Sequence, residues 1–133
     1  MTIAASEDST VSRLRVILCD DNAILLDALR EVVQAQPDLE VVGTASDAEE
    51  ALHLVRWHKP DLVVLDVRFP GGGHLVAQQI GRDSPATRML AFSAYDDSSS
   101  MEQMSRAGVS EYLVKGVTNA EFLAALRRLG RRP

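Results

Sequence analysis

Short apolar runs alternate along this chain with longer stretches in which apolar residues recur every three or four positions. The runs are rich in branched side chains, which is typical of buried strands. They predict strands over 14–19, 39–45, 61–65, 89–92 and 111–114. The stretches between them have the spacing of amphipathic helices. Leu25, Leu29 and Val33 belong to the first helical stripe, and Phe122 and Leu126 belong to the last.

Polar residues and prolines indicate where several of these helices begin and end. Asn22 is the predicted N-cap of the first helix, which Pro37 stops. The segments 46–49 and 118–121 read Ser-Asp-Ala-Glu and Thr-Asn-Ala-Glu, and each has the pattern of a capping box. Ser46 and Thr118 are therefore the predicted N-cap residues of the second and fifth helices.

The third and fourth helices have weaker signals. Residues 70–73 read Pro-Gly-Gly-Gly, which predicts a flexible loop followed by a short helix over about 75–81. The fourth helix is predicted over 97–107, with Gly108 closing it.

This alternation of strand and helix predicts an α/β fold. Five consecutive βα units of this size indicate a doubly wound, parallel five-stranded sheet with helices on both faces. Strands that are apolar throughout fit a sheet covered on both sides. No internal repeat and no second domain are visible in the sequence.

Composition agrees with one soluble domain. The chain has 133 residues, of which 46% are hydrophobic and 25% charged. A formal net charge of −5 argues against direct nucleic-acid binding by the body of the domain. No apolar run approaches the roughly 20 residues that span a bilayer. Residues 1–12 are expected to be a disordered tail, and the single Cys19 is expected to be a reduced, buried thiol of a cytoplasmic protein.

Acidic residues follow two of the predicted strands. Asp20 and Asp21 come directly after the first strand, and Asp66 follows the third. Because the carboxyl ends of parallel strands lie at one edge, these carboxylates would meet if the two strands are neighbours. Adjacent carboxylates repel unless a cation joins them, and oxygen ligands of this kind suit Mg²⁺. For Asp20 and Asp21 alone, a turn that starts a helix is an equally good interpretation.

Two further polar residues end strands at the same edge. Ser93 follows the fourth strand and Lys115 follows the fifth. A carboxylate nucleophile, a divalent ion, a lysine and a hydroxyl together make a phosphoryl-transfer site, in which Asp66 would attack phosphorus and form an acyl phosphate.

In these segments the chain resembles the receiver domain of two-component response regulators. The resemblance covers residues 13–129 and rests on the order of the segments along the chain. They are Asp20-Asp21 after the first strand, 65–71 (Leu-Asp-Val-Arg-Phe-Pro-Gly), 93–97 (Ser-Ala-Tyr-Asp-Asp) and 112–115 (Tyr-Leu-Val-Lys). The resemblance implies a flavodoxin-like sheet with strand order 2-1-3-4-5 and a receiver domain over 13–130.

The resemblance also implies a role for each matching residue. Asp66 is the expected phosphorylation site, and it is expected to bind Mg²⁺ together with Asp20, Asp21 and the backbone carbonyl of Arg68. The expected residues that contact the phosphoryl group or switch with it are Ser93, Ala94, Lys115 and Tyr112. Small Ala94 would leave a path to the site, and Tyr112 would change rotamer when Ser93 closes on the phosphoryl group. The side chains of Arg68 and Tyr95 would influence the lifetime of the acyl phosphate.

Several segments resemble the NarL/LuxR type of receiver, in particular residues 37–43, the Asp-Val-Arg of 66–68, and Lys115 followed by glycine. The implied partner is a sensor histidine kinase, and a homodimer is possible. DNA would be contacted only through an output domain outside this chain, and no membrane partner is implied. The departures are Asn22, where this type usually has histidine, and the glycine-rich loop after Asp66.

Three alternatives stay open. The chain is either cut after its last helix or a stand-alone single-domain regulator that signals by binding proteins. A receiver-like module without phosphorylation is the second alternative. The third is a metal-dependent phosphohydrolase with an aspartyl nucleophile, although such enzymes carry two acids two residues apart on one strand, unlike Asp20 and Asp21. On the main hypothesis the protein is a regulator, and it catalyses only its own phosphorylation and dephosphorylation.

Overall fold

Strands and helices alternate throughout residues 13–131, the part of the chain that this computed structural model describes. The strands are β1 (Leu14–Cys19), β2 (Leu39–Ala45), β3 (Leu62–Leu65), β4 (Arg88–Ser93) and β5 (Glu111–Val114). The helices are α1 (Ala23–Gln34), α2 (Ala48–His58), α3 (Gly73–Asp83), α4 (Ser98–Arg106) and α5 (Asn119–Gly130). The predicted tail over residues 1–12 lies outside the described residues.

The five strands form one parallel sheet in the order β2-β1-β3-β4-β5. The predicted order 2-1-3-4-5 is therefore confirmed. β1 and β3 are neighbours, and their last residues, Cys19 and Leu65, are directly paired. This register brings the residues that follow the two strands, Asp20 and Asp66, to the same edge of the sheet.

Alternate residues of the central strands point to two separate cores. Ile17, Val63 and Leu65 face α2, α3 and α4 on one side of the sheet. Val16 and Leu18 face α1 and α5 on the other side. Full burial of both faces stabilises the sheet through the apolar area removed from water. It also explains why the inner parts of the central strands, 16–19 of β1, 62–65 of β3 and 89–92 of β4, are apolar at consecutive positions rather than at every second one.

The helix starts follow the predicted signals except at α2 and α3. Thr118 caps α5 in a complete capping box, as predicted. At α2, however, the N-cap is Asp47 rather than Ser46. The Asp47 side chain accepts the Glu50 amide at 2.9 Å, and the Glu50 carboxylate accepts the Ser46 amide at 3.0 Å. The cap is therefore shifted by one residue, and it is not a complete capping box because the return bond from Glu50 reaches Ser46 and not Asp47.

The third helix is longer than predicted, since α3 begins at Gly73 and not near residue 75. Gly71 and Gly72 have φ of +100° and +88°, a region that favours glycine. At Gly73 the constraint is space, because a Cβ atom there would lie 2.4 Å from the carbonyl oxygen of Asp66. Gly71 and Gly72 therefore allow the turn before α3, and Gly73 allows the start of the helix to pack against the backbone that follows β3.

Helix side chains also bind the edge strand β2 and the residue just before it. The Gln34 side chain accepts the Val41 amide at 2.7 Å. At the far end of the chain, Arg127 of α5 forms an ion pair with Asp38 at 2.8 Å.

None of the helices within residues 13–131 is long and apolar enough to cross a membrane.

Candidate functional site

The predicted acids meet at the carboxyl edge of the sheet. Asp20 and Asp66 are buried and Asp21 is exposed. One carboxylate oxygen from each of the three lies within 4.8 Å of the others. The sequence predicted this cluster from the ends of two strands, and the pairing of β1 with β3 produces it.

Lys115 joins the two buried acids. Its Nζ donates to Asp20 Oδ2 at 2.7 Å and to Asp66 Oδ2 at 2.9 Å. The same residue is tied to the sheet through its backbone, because its amide donates to the Ser93 carbonyl at 2.7 Å. One half-buried cation therefore balances two carboxylates that would otherwise repel each other.

Backbone amides take up the other oxygens of these carboxylates. The Asn22 amide donates to Asp20 Oδ1 at 2.9 Å, and the Arg68 amide donates to Asp66 Oδ1 at 3.2 Å. In both cases the donor lies two residues after the acid. Each carboxylate is therefore held in one orientation by the first turn of the loop that follows its own strand.

Burial and charge act in opposite directions on these groups. Burial raises the pKa of Asp20, and the hydrogen bond from Lys115 lowers it by less. For Lys115, burial lowers the pKa, but the bonds to Asp20 and Asp66 together outweigh it and the pKa is raised. Lys115 is therefore protonated at neutral pH and remains the cationic member of the cluster.

The donor set fits a hard divalent cation. Three carboxylates supply oxygen ligands only, and Mg²⁺ takes oxygen ligands while keeping several waters. The exposure of Asp21 leaves one side of the cluster open to water. No nitrogen or sulfur ligand competes in this group of three residues.

Ser93 and Tyr112 lie beside this cluster and are linked through one residue. Ser93 is fully buried, and its hydroxyl oxygen accepts the Tyr95 amide at 3.1 Å. The Tyr112 hydroxyl donates to the Tyr95 carbonyl. Burial raises the pKa of Tyr112, which keeps its hydroxyl protonated and able to donate. Both predicted switch residues therefore bind the backbone of Tyr95.

The loops around the site carry the remaining predicted residues. Ala94 is exposed, with no side chain beyond Cβ to cover the site. The Arg68 guanidinium carbon lies 4.2 Å from the centroid of the Tyr95 ring, which is a cation–π contact. The sequence places Arg68 two residues beyond Asp66 and Tyr95 two residues beyond Ser93, but the stack itself was not predicted. That equal spacing was the available signal.

A sequence comparison decides the family. The family model described as "Response regulator receiver domain" matches residues 16–127. The chain belongs to this family. The receiver domain matches Oxygen regulatory protein NreC from Staphylococcus haemolyticus with 31% identity over 116 residues, or 86% of this chain. Because that alignment takes in 54% of NreC, the chain spans about half the length of this relative.

Solved structures agree with this assignment. A two-component response regulator of the LuxR family from Aurantimonas sp. SI85-9A1 superposes with a TM-score of 0.84 and 33% identity, covering 90% of this chain and 86% of that one. The signal receiver domain of NarL from Mycobacterium tuberculosis gives a TM-score of 0.87 and 29% identity, with coverages of 92% and 99%. The predicted NarL/LuxR type of receiver domain is thus confirmed.

Proposed function

We propose that this receiver domain is switched by phosphorylation of Asp66. The observation that carries the proposal is the pair of charged hydrogen bonds from Lys115 Nζ to Asp20 and Asp66. A lysine in this position can follow negative charge from the Asp66 carboxylate onto a phosphoryl group attached to it. The proposed phosphodonor is the phosphohistidine of a sensor histidine kinase, or a small acyl phosphate.

The transfer is a substitution at phosphorus. One Asp66 carboxylate oxygen attacks the phosphorus atom, the bond from phosphorus to the histidine nitrogen breaks, and its electron pair stays on the imidazole, which then takes up a proton. The product is an aspartyl phosphate. Attack of water on the same phosphorus later releases inorganic phosphate and restores the Asp66 carboxylate.

Mg²⁺ would neutralise charge on the phosphoryl oxygens during both steps. The residues proposed to hold it are Asp20, Asp21, Asp66 and the backbone carbonyl of Arg68. The bonds from Asn22 and Lys115 keep the Asp20 carboxylate in a fixed orientation for that task.

The proposed switch runs through Ser93 and Tyr112. A phosphoryl group on Asp66 would draw the Ser93 hydroxyl toward it, with Ala94 leaving room for the group. Tyr112 and the face made by α4, β5 and α5 would follow, so that a partner preferring the new shape shifts the equilibrium. The partner surface would be a second copy of the domain or another protein.

The proposed setting is a cytoplasmic two-component system. NreC is about twice as long as the matched region, which supports an output domain outside this chain. DNA binding through that output domain is the proposed result of the switch. Signalling by protein binding alone is the alternative.

Intact mass after incubation with acetyl phosphate tests the phosphorylation. We expect wild type to gain the mass of one phosphoryl group only when Mg²⁺ is present. Asp66→Asn should gain none, whereas Asp61→Asn, an exposed acid at the opposite end of β3, should behave as wild type. Equal incorporation into Asp66→Asn would overturn the assignment, and turnover of an added phosphate ester would favour the phosphohydrolase alternative.

A further inference from the structure

The stack of Arg68 on Tyr95 joins two loops that the proposed switch must coordinate. Arg68 lies in the loop after β3, two residues beyond Asp66, and its amide holds one Asp66 oxygen. Tyr95 lies in the loop after β4, two residues beyond Ser93. The 4.2 Å contact between guanidinium and ring is therefore a bridge from the loop of Asp66 to the loop of Ser93.

Tyr95 is also the residue that anchors its own loop. Within the described residues, the hydrogen bonds of positions 94–96 all involve Tyr95: its amide binds Ser93 Oγ, and its carbonyl accepts the Tyr112 hydroxyl. Ala94 and Asp96 on either side are exposed. A contact that fixes the Tyr95 ring consequently fixes the partners of both predicted switch residues.

The position of the stack at the surface determines its strength. Tyr95 is 40% exposed, so water competes with the ring for the cation. A cation–π contact of this exposure changes an equilibrium by roughly two- to five-fold. That factor is too small to hold the fold together but large enough to bias a loop between two arrangements.

We propose that Arg68 and Tyr95 are positioning residues that clamp the loop after β4 before any phosphoryl group arrives. Their stack holds Tyr95 so that Ser93 and Tyr112 are already oriented beside the acidic cluster. The clamp thereby lowers the conformational cost of accepting a phosphoryl group at Asp66. This last step rests on the proposed phosphorylation of Asp66, whereas the clamp itself does not.

Amide hydrogen exchange in the unphosphorylated protein tests the clamp directly. Arg68→Met and Tyr95→Leu remove one side of the stack each and should speed exchange of the residue 95 amide by roughly two- to five-fold. Arg68→Lys and Tyr95→Phe are the matched controls, since they keep a cation and an aromatic ring, and they should exchange more like wild type. The double variant should be no faster than either single one.

Binding of a phosphoryl mimic tests the functional consequence. With Mg²⁺ present, Tyr95→Leu should bind beryllium fluoride roughly two- to five-fold more weakly than wild type, and Tyr95→Phe should bind as wild type. Tyr95→Leu is the decisive variant because it keeps the charge of Arg68. A thermal midpoint equal to that of wild type in both variants would exclude general destabilisation as the cause.

The outcomes separate the two proposals. Unchanged exchange in Arg68→Met and Tyr95→Leu, or fully additive effects in the double variant, would overturn the clamp. Faster exchange with unchanged binding of beryllium fluoride would overturn its effect on the site. If wild type itself neither binds beryllium fluoride nor takes up phosphate, the proposed phosphorylation fails, while the exchange results still decide the clamp.

Discussion

The helices that follow Asp66 and Lys115, α3 and α5, start in different ways. α5 begins four residues after Lys115 with a side-chain cap, in which Thr118 and Glu121 exchange hydrogen bonds. α3 begins seven residues after Asp66, at Gly73, and its N-cap residue Gly72 has no side chain to cap the helix. One start is built by side chains within four residues, and the other by the close approach of Gly73 to the backbone of β3.

The difference shows what each start depends on. The α5 cap is local, because its hydrogen bonds all run between Thr118 and Glu121. The α3 start requires the finished end of β3, because Gly73 packs against the carbonyl oxygens of Asp66 and Val67. The helix that follows the proposed phosphorylation site along the chain is thus coupled to the position of the backbone at that site.

The largest expected effect comes from filling the space at Gly73. Gly73→Ala would place a Cβ atom 2.4 Å from the Asp66 carbonyl oxygen and 2.6 Å from that of Val67. The backbone must shift to relieve this overlap. We therefore expect the free energy of unfolding, measured in urea, to fall by about 2–3 kcal/mol.

Gly81→Ala is the matched control, because it lies in the same helix and its Cβ would meet nothing within 4 Å. There we expect a gain of about 0.5–1 kcal/mol, as for any glycine replaced by alanine in a helix. A Gly73→Ala protein as stable as wild type would show that the close approach does not constrain the start of α3.

An intermediate effect is expected at the α5 cap. Thr118→Ala removes the oxygen that accepts the Glu121 amide at 3.1 Å, so the free energy of unfolding should fall by about 1 kcal/mol. Thr118→Ser keeps the hydroxyl and should lose much less. If serine and alanine were equally destabilising, the methyl group rather than the cap would be responsible.

The smallest effect concerns the acid of the same cap. The Thr118 amide, and then its hydroxyl, lower the pKa of Glu121. A carboxylate whose pKa is lower in the folded protein stabilises it above the unfolded pKa, and this contribution is lost as pH falls through the folded pKa. Carboxyl NMR should therefore find the Glu121 midpoint below the ordinary glutamate range.

The alanine variant at position 118 should raise the Glu121 midpoint only part of the way, because the residue 118 amide still donates. Glu121→Gln should be slightly less stable than wild type at pH 7 and equally stable near pH 3. A wild-type midpoint in the ordinary range would mean that Glu121 does not hold the cap in solution.

Most of the sheet and its acidic edge could be predicted from the sequence because both follow from strand patterns. Apolar runs located the strands, and the acids after β1 and β3, with Lys115 after β5, could be assigned to one edge once a parallel sheet was inferred. Lys115 contacts both Asp20 and Asp66, whereas its role toward a phosphoryl group stays a prediction.

The remaining features depend on contacts between distant segments. The start of α3 follows from the Gly73 approach to β3, and no local signal encodes it. At the start of α2, Glu49 and Glu50 could each bind the backbone before the helix. Only the structure shows that Glu50 does so and that Asp47, not Ser46, is the N-cap. The Arg68 stack on Tyr95 joins two loops whose separation only the assembled sheet determines.

The bond from the Val41 amide to the Gln34 side chain has a consequence for association between molecules. An edge strand with free amides is a template on which a strand of another chain can add. Gln34 occupies one of those donors from within the same molecule, so sheet extension across β2 would first have to displace it. Self-association by strand addition, and the aggregation that can follow from it, is thereby discouraged at this edge.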